Sequence, residues 1–365
     1  MGDDIVLVIV VATALAFDFT NGFHDTANVV ATSISTRAMS PRLAVTYAAL
    51  LNFAGAFISL EVAATVAEDV VAQGAITPTV VFAGLIGAIS WNLVTWYFGL
   101  PSSSSHALIG GVIGSTIAAV GTDAVHADGV VGDVLVPALV APIVAFAIGA
   151  VAILLCYRIV GRQRPGVVVR GFRLGQVASG GLLALAHGTN DAQKTMGVIT
   201  LALIANGTLA EGSGVPFWVV VSAAAAIAFG TYTGGWRIIR TMGMRIHKMD
   251  AAQGFSAQGA GAAVILSSSY FGFPLSTTQV ISGGVIGAGT AKRLSAVRWG
   301  IAGNIVVAWL LTLPAAAAIG AVAYGVTRVF GTGAVGPVIV AALAVALIAV
   351  AFARRARAGA PVPAG

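Results

Sequence analysis

The chain has 365 residues, 58% apolar and only 9% charged, with 19 Lys and Arg against 13 Asp and Glu and a formal net charge of +6. A soluble domain carries roughly 25% charged residues, so this composition, with a mean hydropathy of +0.95, excludes a sizeable soluble domain and reads as a polytopic membrane protein. Cys156 is the only cysteine, which excludes an intramolecular disulfide and a cysteine metal cluster.

In chain order, apolar segments run at 5–35, 43–66, 79–99, 106–121, 135–158, 175–205, 215–235, 255–272, 277–291, 298–326 and 335–353. Each span needs about 20 residues, so nearly the whole chain is consumed by helices. The start, Met1-Gly2-Asp3-Asp4, lacks a positive n-region and is expected to be a retained first span rather than a signal peptide. Segments 5–35 and 175–205 are long and carry polar motifs inside, so each is expected to be a helix broken at its motif. The pairs 79–99 with 106–121, and 255–272 with 277–291, are joined only by Pro and Ser/Thr. Such a joint is either a surface turn or the tip of a re-entrant hairpin, and the latter is tolerated where irregular backbone is buried in protein.

The polar motifs occur twice. Asn21-Gly22-Phe23-His24-Asp25-Thr26-Ala27-Asn28 is echoed by His187-Gly188-Thr189-Asn190-Asp191-Ala192-Gln193-Lys194. Pro101-Ser102-Ser103-Ser104-Ser105-His106 is echoed by Pro274-Leu275-Ser276-Thr277-Thr278-Gln279, and each is followed by a Gly-Gly-Val-Ile-Gly run. Duplicated polar motifs inside apolar segments mark a transporter built from two repeats around a midplane site.

Charge sets the expected orientation. With the N-terminus outside, 17 of the 19 Lys and Arg fall in cytoplasmic loops, leaving Arg328 outside and Lys194 within a span. Asp3, Asp4, Glu61, Glu68, Asp69, Asp123, Asp128, Asp133 and Glu211 fall outside. Every count of crossings between the two units is odd, so the second is expected to be inverted, with the hairpins entering from opposite faces. The fold expected is an all-α polytopic membrane protein of two inverted repeats, each with a broken helix and a re-entrant helical hairpin. The boundaries are 1–158 for the first repeat, 159–174 for a cytoplasmic basic linker, 175–326 for the second repeat and 327–365 for an extra transmembrane helix and basic tail. The expected location is the cell's inner (plasma) membrane, multi-pass, with the C-terminus cytoplasmic.

An ionisable group at a helix centre costs about 2.5–3.5 kcal/mol on insertion scales, so such residues normally face a functional cavity. On this ground Asp25 and Asp191, with Asn21, His24 and His187, are candidate ligands for a coupling cation. The alternative is a structural network, since Asp191 and Lys194 are three apart and can neutralise each other. Asp25 has Asn28 at the place matching Lys194. Helices restarting at the Ser/Thr runs would aim hydroxyls and free N–H groups into one space, an anion site made from two helix N-termini. Ser103, Ser104, Ser105, Thr277, Thr278 and Gln279, with Asn28, Asn190 and Lys194, are the candidate anion-binding residues; the alternative for the Ser-rich stretch is a flexible connector. Asp18, opposite Ala184 in the other repeat, is either a cation or proton site or an acid facing a vestibule. His126 and His247 are expected to be solvated in loops. The tryptophans fall mostly near span ends, as interfacial anchors do.

Both motifs resemble signatures of the inorganic phosphate transporter family, Pit or PiT, in its bacterial low-affinity branch. The likeness is carried by Asn21 to Thr32 with Thr36-Arg37-Ala38-Met39, and by His187 to Gly197, and it runs through nearly the whole chain. It implies import of phosphate, in some members as a metal-phosphate complex, by symport with H+ or Na+ and without a cofactor. The resemblance is compatible with a homodimer and gives no expectation of nucleic acid. In the more widespread signature Ala and Asn stand where Phe23 and His24 do, a departure that favours protons. The chain lacks the long central hydrophilic loop of eukaryotic members.

Three alternatives stand beside it. A sulfate or broader oxyanion permease fits the same scaffold. A passive anion channel does not need two carboxylates, which would repel the permeant ion. A membrane hydrolase using Ser105 or His106 is disfavoured because Gln279 replaces His106 in the second copy, and a nucleophile without a base is weak. The chain is therefore expected not to be an enzyme.

Overall fold

The structure, a computed structural model, describes residues 2–68, 76–291, 293–331 and 333–357, and among them all regular structure is helical. Asp69 and Lys292, both used above to orient the chain, and residues 358–365 lie outside the described residues. The first half holds α1 (Gly2–Ser35), α2 (Pro41–Gly55), α3 (Glu61–Glu68), α4 (Pro78–Phe98) and α5 (Ser104–Val120). Then α6 (Ala127–Gly129) continues through a π-helical turn into α7 (Val136–Val160). The second half holds α8 (Pro165–Ala205), α9 (Phe217–Thr233), α10 (Trp236–Arg240), α11 (Ala251–Tyr270), α12 (Thr277–Thr290), α13 (Trp299–Val329) and α14 (Val335–Arg357).

Asp4–Ser35, Pro78–Phe98, Ala127–Val160 and Trp299–Val329 are each long and apolar enough to cross a bilayer. Their outer faces present Val8, Leu139, Ile143 and Leu310. Hydrocarbon can solvate these side chains and cannot solvate polar ones, which accounts for the composition. The protein is a multi-pass membrane protein.

The two halves pack alike. The helix after each tip docks on two others, α5 on α4 and α13, and α12 on α11 and α7. The helix after each acid motif crosses over, so that α2 packs on α8 while α9 packs on α1. Neither half completes its own core. One apolar cluster joins Val6 to Phe17 of α1 with Met196 to Leu203 of α8, and the other joins Ala27 to Ala31 with Leu183 to Ala186. The polar motifs lie between these clusters.

The expected break in the long helices is corrected. Helices α1 and α8 are unbroken, with 34 and 41 residues respectively. No proline interrupts either motif, and the motif glycines serve close packing instead of a kink. A Cβ on Gly22 would lie 2.3 Å from the Ile227 carbonyl oxygen of α9, and one on Gly188 would lie 2.1 Å from that of Asn52 in α2. Segment length came from extension past the apolar core, not from a break.

The Pro/Ser/Thr joints do restart helices. Ser103 and Ser276 are the N-caps of α5 and α12, their Oγ atoms accepting from the His106 and Gln279 amides at 3.1 and 3.3 Å. At 17 and 14 residues these helices reach roughly 25 and 21 Å, short of the ~30 Å hydrocarbon layer. Both tips are buried at the centre of the protein. His247, expected in solvent, is buried instead: its loop tucks under α12, where Nε2–H donates to the Val285 carbonyl at 3.0 Å.

Candidate functional site

Asp25 is the meeting point of both tips. Ser104 Oγ of the first donates to Asp25 Oδ2 at 2.7 Å, and Thr278 Oγ1 of the second donates to Oδ1 at 3.2 Å. His24 Nδ1–H donates to Oδ1 at 2.7 Å, leaving His24 Nε2 near Thr95 and Ser102 at 3.1 and 3.4 Å. Asn28 Nδ2 reinforces the second tip by donating to Thr278 Oγ1 at 2.8 Å.

Asp191 has a different shell. Lys194 Nζ donates to Asp191 Oδ1 at 2.5 Å, to Ser105 Oγ at 2.6 Å and to the Leu275 carbonyl at 2.7 Å. All three ammonium protons are used, and they tie α8 to both tips. The Thr277 hydroxyl lies 3.2 Å from Asp191 Oδ2 and 3.4 Å from Asp25 Oδ2. It has one proton, so it serves one carboxylate at a time.

His187 Nδ1–H donates to Asn52 Oδ1 at 3.2 Å, while Asn52 Nδ2 donates to Thr231 Oγ1 at 2.8 Å. That tautomer leaves Nε2 with a lone pair, and Nε2 sits 3.1 Å from Asp191 Oδ2 without completing a hydrogen bond. Ligand atoms of Asp25, His187 and Asp191 all fall within 4.8 Å of one another. Two carboxylates and an imidazole lone pair, oriented by an outer amide, form a donor set suited to a cation. First-turn amides at 104, 105, 277 and 278 have no intrahelical acceptor, and hydroxyls surround them. The same small volume therefore offers anion donors and cation ligands side by side.

Of the candidates named above, Asp25, Asp191, His24, His187, Asn28, Ser104, Ser105, Lys194, Thr277 and Thr278 come together here. Asn21 is buried in α1, and its Oδ1 makes no hydrogen bond. Asn190 turns toward the stem of the second hairpin, donating to Ser269 Oγ at 3.0 Å and to the Phe273 carbonyl at 3.3 Å. Ser103 is occupied as a cap. Gln279 Nε2 meets His106 Nδ1 at 3.4 Å, where the two restarted helices touch. Sequence reasoning missed Asn52 and Thr95, which orient the two histidines. Asn52 is a lone amide in an apolar helix, a signal that a listing of uncharged polar residues within spans would have raised; a threonine carries no such signal.

Residues 21–320 match the model of the phosphate transporter family. Over 326 residues the chain is 55% identical to a probable low-affinity inorganic phosphate transporter of Mycobacterium bovis, covering 89% of this chain and 78% of that one. A probable low-affinity inorganic phosphate transporter of Bacillus subtilis is 42% identical over 322 residues, 88% of this chain and 96% of its own. A solved structure described as the sodium-dependent phosphate transporter superposes with a TM-score of 0.78 at 24% identity, over 89% of this chain and 99% of that one, a likeness of fold. These relatives are transporters, not enzymes. With its motifs and fold in agreement with these matches, the chain belongs to the phosphate transporter family.

Proposed function

We propose that this protein imports inorganic phosphate across the plasma membrane by symport with a cation, H+ or Na+. The carrying observation is the Thr277 hydroxyl, which stands between Asp25 and Asp191 at the junction of the two tips. In this reading the hydroxyls of Ser104, Ser105, Thr277 and Thr278 and the free first-turn amides donate to phosphate oxygens, and Lys194 offsets part of the anion's charge. A carboxylate cannot lie against a phosphate without a cation or proton between them. Asp25, Asp191 and His187 supply that place. Binding of the anion thus depends on binding of the cation, which is the basis of symport.

The two units act in this scheme as inverted repeats of 1–158 and 175–326, with the N-terminus outside and the hairpins entering from opposite faces. The matched docking of α5 and α12 supports the repeat, and the excess of Lys and Arg in alternate loops supports the orientation. The test is uptake of labelled phosphate into proteoliposomes with sodium and pH gradients imposed separately. Uptake above the equilibrium level with one gradient, blocked by arsenate, is the expected result. No uptake with either gradient, or sulfate competing as well as arsenate, overturns the reading.

A further inference from the structure

Three buried carboxylates lie in this part of the molecule, and the protein treats one of them differently. Asp25 is held by Ser104, Thr278 and His24, and Asp191 by Lys194, with Thr277 shared between them. Those shells are what a carboxylate ion needs. Asp18 is fully buried in α1; the Thr195 hydroxyl of α8 is the one side chain that acts on it as a donor, and neither carboxyl oxygen reaches full hydrogen-bond geometry. It lies two turns before Asp25, roughly 10 Å along the helix, and is not among the grouped cation ligands.

Its surroundings offer no compensating charge at contact distance. Helices α4 and α9, packed on α1, contain no Asp, Glu, Lys, Arg or His. From α8, Asp191 and Lys194 act on Asp18 electrostatically, but Lys194 already spends its three protons elsewhere. Apart from the Thr195 hydroxyl no donor reaches it, and Asn21 Oδ1, one helical turn along α1, also lacks one. An ionised carboxylate buried with a single weak donor and no counter-charge in contact costs far more than a neutral acid in the same place. Ala184 at the matching place in the second copy means that packing there does not require an acid.

We propose that Asp18 is a proton-binding carboxyl of the transport cycle, neutral in the arrangement seen here and separate from the Asp25, His187 and Asp191 cluster. The inference rests on the reading of the protein as a symporter. Release breaks the carboxyl O–H bond, leaves a carboxylate on Asp18 and passes the proton to water on the side to which the site then opens. The new negative charge, within electrostatic reach of Asp191, weakens phosphate binding by like-charge repulsion. Loss of the proton and loss of phosphate are thereby linked.

The test is infrared difference spectroscopy on the reconstituted full chain during a pH jump, paired with phosphate uptake. Wild type is expected to show a protonated-carboxyl C=O band that disappears as pH rises; Asp25→Asn should retain that band and Asp18→Asn should lack it. Asp18→Asn should still exchange labelled for unlabelled phosphate, while its uptake loses all response to an imposed pH gradient. Wild type without the band across the working pH range, the band persisting in Asp18→Asn, or pH-driven uptake in Asp18→Asn equal to wild type overturns the proposal. Should Asp18→Asn not fold, Asp18→Ala and the wild-type titration decide it. Wild type that shows the band but moves no phosphate overturns the transport reading and leaves the assignment of the band to be read from the variants alone.

Discussion

Asp25 and Asp191 occupy matching places in a duplicated motif, yet they are stabilised in opposite ways. Asp191 is neutralised within its own helix by Lys194, three residues on. Asp25 has one donor in its own helix, the His24 imidazole, and takes the others from elsewhere, a serine from the first tip and a threonine from the second. A pair within one helix survives any rigid movement of that helix. A carboxylate held by two separate hairpins loses a donor whenever either hairpin withdraws. Duplication supplied two equal frames, and divergence at one position, Lys194 against Asn28, made one acid a fixed pair and the other a sensor of both tips.

The largest expected effect breaks the fixed pair. Lys194→Met leaves Asp191 buried without its counter-charge, and removing one partner of a buried pair costs about 3–5 kcal/mol. Thermal unfolding of the purified protein should show a strong loss, and the double variant Lys194→Met with Asp191→Asn should recover most of it. If the double variant is no more stable than the single one, the pair is not what holds Lys194 in place, and its bonds to Ser105 and Leu275 are.

A second prediction sharpens the role of Asp25. Thr277→Val keeps the shape of the tip and removes the hydroxyl shared by the two acids. A hydrogen bond to a charged group contributes about 1.5–3 kcal/mol, which corresponds to roughly ten- to a hundred-fold in apparent phosphate affinity. Thr278→Val, which removes a donor from Asp25 but not from Asp191 and also takes the acceptor of Asn28 Nδ2, should weaken gradient-driven uptake by no more than Thr277→Val does. An unchanged affinity in Thr277→Val removes the observation on which the proposed function stands.

The third prediction asks whether the two frames really are equal. A Cβ on Gly114 would lie 1.9 Å from the Ala317 carbonyl oxygen, and one on Gly287 would lie 2.1 Å from that of Phe146. Both neighbours are backbone and cannot swing away. Gly114→Ala and Gly287→Ala should each cost about 1–3 kcal/mol by overpacking, and by similar amounts, measured as loss of thermal stability in detergent. A large difference between them would show that the hairpins, like the acids, have diverged.

What the sequence disclosed, and what it did not, follows from the kind of signal each residue carries. The tips were legible because Pro101 and Pro274 stop one helix and the Ser/Thr runs cap the next, a local matter of backbone chemistry. Asp25, Asp191 and Lys194 were legible because a charge in an apolar segment has few neutral explanations. Continuity of α1 and α8 was not, because a glycine inside a helix looks the same whether it permits a kink or admits a neighbouring helix; only the Ile227 and Asn52 carbonyls decide. The parts played by Asn52 and Thr95 depend on contacts across 135 and 71 residues of chain, which no local pattern records. Asn190 and Ser103 have suitable side chains and sit in the right motifs, but a neighbouring carbonyl and a neighbouring amide claim them first.

Ser103 gives the smallest effect and a clean separation between scaffold and site. Its hydroxyl accepts from the His106 amide, as the Ser276 hydroxyl accepts from that of Gln279. Neither makes a hydrogen bond to Asp25 or Asp191, while Ser104, one residue on, donates to Asp25 directly. Replacing an N-cap serine by alanine costs about 1 kcal/mol of stability. Ser103→Ala and Ser276→Ala should therefore lower thermal stability slightly and equally, with apparent phosphate affinity close to wild type. Ser104→Ala should do the reverse, altering affinity more than stability, because it removes a donor from a charged acceptor without uncapping the helix. Should Ser103→Ala weaken phosphate binding as much as Ser104→Ala does, the capping hydroxyl must turn into the site during transport, and the first tip would then be a moving part of the binding surface and not a fixed frame for it.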